Sequence, residues 1–204
     1  MKRKQIAFAL VIINFIYSVS QIWLFFHLNN QIIIDITKAP PSGLDISSIW
    51  GIVPEILGLI ILLGLCWVLR AYKEKLWILL GMVLFTFWKI ISGISFYLYG
   101  MQWASGMPSL FNALLDLYYF TLVYMVITLF FVRNKVIKWC FIWFGIFTAI
   151  AYIIPKVGPY LYDNFNIHWL MINQDALLQL CTFTSLVLFI RVWIDTDNKQ
   201  ANAN

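Results

Sequence analysis

Residues 76–99 read LWILLGMVLFTFWKIISGISFYLY. The run carries a single charge, Lys89, and shows no alternation of polar and apolar side chains. Coiled at 1.5 Å per residue, it is long enough to cross the roughly 30 Å of hydrocarbon in a bilayer. In lipid only a helix or a closed barrel satisfies every backbone N–H and C=O. A barrel strand would alternate apolar and polar side chains, and this run does not. It reads as a membrane helix.

Comparable runs lie on both sides of it. The predicted spans are residues 6–28, 49–69, 76–99, 110–132, 136–154 and 174–194. The expected fold class is all-α, a polytopic membrane protein with a bundle of about six transmembrane helices. Residues 1–204 then form a single transmembrane domain. Composition agrees: 62% of residues are hydrophobic and 11% charged, against about 25% charged in soluble domains. Lys-Arg-Lys at 2–4, the apolar run and Ser18-Val19-Ser20 resemble a signal peptide. The continuing Ile22-Trp23-Leu24-Phe25-Phe26 argues for a retained helix.

The linkers alternate in charge. One set holds Lys2, Arg3, Lys4, Arg70, Lys73, Lys75, Arg133, Lys135, Lys138, Arg191 and Lys199. The other holds Lys38 and Lys156. The positive-inside rule puts the first set, and both ends of the chain, in the cytoplasm. This distribution also explains the net charge of +5 without nucleic acid as a partner. The pattern fits a bacterial inner membrane, and the lipid bilayer is the first expected partner. Pro40-Pro41-Ser42-Gly43, Ser105-Gly106-Met107-Pro108 and Gly158-Pro159 mark turns on the outer side. Trp50, Trp103, Tyr160, Tyr162 and Trp169 read as an outer aromatic belt, with Trp77, Trp139 and Trp193 as the inner one.

Polar residues inside the runs point to function, because a charge in the bilayer is costly and usually faces the bundle interior or water. Lys89 lies about 16–20 Å from either end of its helix, too deep to snorkel. Thr86, Lys89 and Gly93 share one face. Glu55 follows Pro54 and shares a face with Gly51 and Gly58. Asn112, Asp116 and Tyr119 align on the fourth helix. The first helix presents Asn14, Ser18 and Gln21, and the sixth presents Asp175, Gln179 and Thr182. The expected substrate- or ion-binding residues are Glu55, Lys89, Asp116, Asn112, Gln21 and Gln179. They would line an outward-opening cavity built by helices 1, 2, 3, 4 and 6. The fifth helix, poor in polar residues, is expected at the periphery.

Other patterns read as structure. Asp175 sits where an acid complements a helix N-terminus. His27 and His168 lack the spacing of a metal pair. Cys66, Cys140 and Cys181 read as buried apolar thiols. Asp195 and Asp197 read as a solvated tail. There is no phosphate loop, HExxH or nucleophile elbow. No cofactor or metal is expected, and no family's motifs are reproduced. Three functions remain. The first is a transporter, or the substrate-binding membrane subunit of one, for a small polar, cationic or lipid-like ligand. The second is an intramembrane enzyme using paired carboxylates on a lipid or isoprenoid. The third is a non-catalytic scaffold with partners in a membrane complex.

Overall fold

The computed structural model describes the backbone of residues 2–32, 46–106, 108–165 and 174–201. Side chains are described for residues 3–21, 56–91, 117–152 and 179–198. The fold is all-α. The helices are α1 (Lys2–Ile32), α2 (Ile46–Ala71), α3 (Leu76–Gly106), α4 (Pro108–Leu129), α5 (Lys135–Phe165) and α6 (Gln174–Ala201).

Most helices outrun the apolar stretches that predicted them. α5 continues through Pro155 and Pro159, where a loop was expected, and α3 runs on to Gly106. α4 opens on Pro108, whose missing N–H costs nothing at a first helical position. It closes in a tighter turn: Phe131 N–H donates to Thr128 O at 3.1 Å and Val132 N–H to Leu129 O at 3.3 Å.

The α2–α3 turn has a defined stop signal. Glu74 N–H donates to Leu69 O (3.0 Å) and Lys73 N–H to Arg70 O (3.1 Å). This is the Schellman pairing, and it requires Lys73 in the left-handed region, at φ 55°. The α4–α5 turn ends on Asn134, whose side-chain oxygen accepts Val136 N–H at 2.9 Å and caps α5. Glu74 joins the two turns. Its carboxylate accepts Asn134 N–H at 2.8 Å and Arg133 N–H at 3.1 Å.

Each helix packs on its sequence neighbours, and α6 returns to α1, so the six form a closed ring. α2 also touches α6 across the ring. Lys4 of α1 pairs with Asp197 of α6. Tyr72 Oη donates to Asp195 at 2.7 Å. These bonds gather the start of α1, the end of α6 and both short turns at one end of the bundle, here called the basic end. Asp195 and Asp197 are therefore pins within α6, where a solvated tail was expected.

The surface is inverted relative to a soluble bundle. Phe15, Leu63, Phe120, Trp139 and Phe183 are each more than half exposed, whereas Asn14, Thr86, Thr121, Thr128, Thr148, Thr182 and Ser185 are buried. The buried hydroxyls turn back on their own helices: Thr86 Oγ1 donates to Met82 O at 2.8 Å and Thr148 Oγ1 to Phe144 O at 2.7 Å. Three stretches are long and apolar enough to cross a membrane: Arg3–Gln21, Lys135–Tyr152 and Gln179–Asn198. In α2, α3 and α4 the apolar stretches among the described side chains, Ile56–Ala71, Leu76–Ile91 and Leu117–Leu129, are shorter. Length, composition and the apolar exterior mark a membrane protein.

Candidate functional site

The half of the bundle nearest the basic end is solid. Leu65, Leu69, Ile78, Met82, Ile137, Phe141, Leu188 and Phe189 are fully buried there or nearly so. Two glycines allow the helices to close. A Cβ on Gly81 would stand 2.6 Å from Thr128 Oγ1 and 3.3 Å from Met125 Cα. A Cβ on Gly64 would stand 2.7 Å from Leu10 Cδ2 and 3.1 Å from Phe189 Cζ. A Cβ on Gly145 would meet Leu129 at an ordinary 3.5 Å, so this glycine is not needed for a close approach.

Among the described residues α3 makes no backbone approach to α5 or α6. The space between them is a cavity of about 230 Å³. α1 contributes Tyr17 and Gln21, α2 Gly58, Leu59, Ile61 and Leu62, and α3 Phe85 and Lys89. α5 contributes Phe144, Thr148 and Tyr152, and α6 Gln179, Cys181, Thr182 and Ser185.

Lys89 is the only charged residue among the described lining. Thirteen residues of helix separate it from Leu76, so its Cα lies about 20 Å above the basic end. Its ammonium lies 5.0 Å from the ring centre of Tyr152, at cation–π distance. Tyr152 belongs to an aromatic wall. It meets Phe85 edge-on at 6.2 Å and Tyr118 at 5.6 Å, and the Tyr118 hydroxyl is buried. The opposite wall carries the carboxamides of Gln21 and Gln179. Thr148 Oγ1 lies 3.5 Å from Cys181 Sγ, joining α5 to α6.

Asn14 lies at the cavity's lower edge. It is fully buried, and its carboxamide meets Ser185 Oγ at 2.6 Å. A buried amide pair of this kind fixes the register of α1 on α6. Cys66 Sγ lies 3.9 Å from Thr86 Oγ1 and marks the face of α2 that meets α3.

Lys89, Gln21 and Gln179 thus border one space. The side chains of Glu55, Asn112, Asp116 and Asp175 lie outside the described residues. So do Ser92, Gly93, His27 and His168.

The fifth helix corrects the sequence reading. It is a cavity wall and not a peripheral helix. Its contribution is two aromatic rings and a threonine bonded to its own backbone, so counting polar residues could not reveal it. Among the described residues α4 lines none of the cavity and backs Phe85 and Tyr152 through Tyr118. No cluster of three or more His, Cys, Asp or Glu able to hold a metal occurs among the described residues. No family model, curated protein or solved structure matches the chain.

Proposed function

We propose that this chain is a six-span membrane transporter, or the substrate-binding membrane subunit of one, with its basic end in the cytoplasm and its cavity opening to the opposite side. The carrying observation is the Lys89 cavity itself: a lysine and two glutamines border a space set above a solid apolar floor. A bundle built only for stability would fill that space. A lysine this deep is tolerated only with water, an acid or a ligand beside it. The floor argues against an open channel, because among the described residues the packed end is filled by buried apolar side chains. Transport would therefore need the floor and the cavity to exchange exposure, with Lys89 responding to occupancy. Glu55 remains a candidate to share a proton or ion with Lys89. Asp116 remains a candidate on the same terms. The membrane proposed is a bacterial inner membrane, from the concentration of basic residues at one end.

The test uses single cysteines in a background with Cys66, Cys140 and Cys181 replaced by serine. Gln21→Cys and Gln179→Cys should react with a membrane-impermeant maleimide added on the side opposite the basic end. Met82→Cys, in the floor, should resist it from both sides. If the two cavity cysteines resist as fully as the floor cysteine, the outward-opening site does not exist.

A further inference from the structure

Charge is shared unevenly between two corners of the basic end. Near the start of α1 and the end of α6, the acids are bonded within the chain: Asp197 pairs with Lys4, and Asp195 accepts from Tyr72 Oη. Where the α2–α3 and α4–α5 turns meet, Lys73, Lys75, Arg133, Lys135 and Lys138 stand with Glu74 as the one acid among them. We propose that the corner formed by these two turns binds the headgroup of an anionic phospholipid, with its acyl chains against α3 and α4. The site is separate from the Lys89 cavity and does not depend on what that cavity does.

Glu74 does not neutralise the corner. Its carboxylate oxygens accept the backbone N–H groups of Arg133 and Asn134. Among the described residues none of the five cations forms an ion pair. The same bonds hold the turns side by side. Lys73 and Lys75, on either side of Glu74, therefore stand beside Arg133 and Lys135, on either side of Asn134. All but Lys138 are exposed. The Schellman pairing at Lys73 and the Asn134 cap fix both backbones, so the cations rise from an ordered base. A phosphodiester brings negative charge and acceptor oxygens, and lysine and arginine side chains satisfy both.

The surface next to the corner selects a lipid over a soluble anion. Lys75 Nζ lies 5.9 Å from the centre of the Trp77 ring, and the Trp77 and Phe131 rings are centred 5.3 Å apart. Tyr124 Oη donates to Trp77 O at 3.3 Å, which ties this part of α3 to α4. Cations followed by aromatic rings is the order of groups at a membrane interface. Beyond the rings the exposed surface is apolar, with Leu80 and Val83 on α3 and Ile127 on α4. A headgroup held at the turns would lay its chains on this face. Basic clusters of this kind beside a membrane helix attract anionic headgroups.

The full chain in a neutral detergent is titrated with dioctanoyl phosphatidylglycerol, dioctanoyl phosphatidylcholine or inorganic phosphate, and its thermal unfolding is followed. Phosphatidylglycerol should raise Tm saturably, as any ligand of the native state does, and the other two should not. Lys75→Gln combined with Arg133→Gln should raise the half-saturating concentration roughly twenty- to thirtyfold, at about fivefold per charge removed. Arg3→Gln combined with Arg191→Gln removes the same charge from the other corner and should change it less than about threefold. An equal rise with phosphatidylcholine would overturn the role of headgroup charge. A rise with phosphate alone would overturn the assignment to a lipid. Equal weakening by both double variants would overturn the location, and no rise with any probe would overturn the proposal outright. The probe comparison on the unaltered protein stands even if a variant fails to fold. None of these results bears on the maleimide test of the cavity.

Discussion

The two halves of this bundle are made differently. Toward the basic end every neighbour is fixed: glycines let helices approach, large apolar side chains fill the centre, and Glu74, Tyr72 and Lys4 tie distant segments together. Farther from that end the described helices border the cavity that holds Lys89. Close packing and the cavity lie at different depths of one ring.

Substitutions can break this contrast. The largest loss is expected for Phe141→Ala in the floor, where a fully buried ring leaves a void. About 3–5 kcal/mol should be lost, read as a drop in the midpoint of unfolding in detergent. Gln21→Ala at the cavity should cost far less in the same measurement. If the two losses are equal, the cavity half is packed as tightly as the floor and the contrast is illusory.

Gly81→Ala comes next. The new Cβ must displace Thr128 Oγ1 or the backbone of α4 at Met125, at a cost of about 1–3 kcal/mol. Gly145→Ala, where an ordinary contact waits, should change stability by well under half as much. Comparing the two by thermal unfolding separates a true close approach from a merely small residue.

Glu74→Ala removes the acceptor shared by Arg133 and Asn134. The site is partly exposed, so the expected loss is about 1 kcal/mol. It should show as faster hydrogen exchange at the Arg133 and Asn134 amides. Unchanged exchange there would mean that the two turns are not braced.

The smallest effect concerns Tyr72. Burial, and then its bond to Asp195, push the Tyr72 phenol above its ordinary value of 10.0. The folded state holds this proton more tightly than the unfolded chain does. The contribution is therefore full below about pH 10 and is lost as pH rises from there through the folded value. Tyr72→Phe should cost about 0.5–1.5 kcal/mol at neutral pH and flatten the alkaline limb of a stability–pH curve. An unaltered alkaline limb would show that the bond is not formed.

The sequence carried the helices because each of the six apolar runs folds as a helix, and three of the described stretches are long and apolar enough to cross a membrane. It carried their ends poorly. Gly158-Pro159 reads as a turn, yet α5 passes through it to Phe165. Lys89 was legible because a charge in an apolar run has no ordinary explanation. The fifth helix was not, because a phenylalanine or tyrosine lining a cavity is spelled like one facing lipid. The pins were hidden by distance: Lys4 and Asp197 lie 193 residues apart. Nothing local tells an acid in a cross-brace from an acid in water. Glu55, Asn112 and Asp116 were proposed on helical spacing, and their side chains lie outside the described residues.

The closed ring also has a consequence in time. Its seam joins α1 to α6, with four helices between them in the chain. During synthesis Asn14 has no Ser185 to meet until α6 has been made. Until then the face of α1 that packs on α6 is uncovered. Closure of the ring therefore waits on α6, and a ribosome stalled before α6 should leave a protease-sensitive α1.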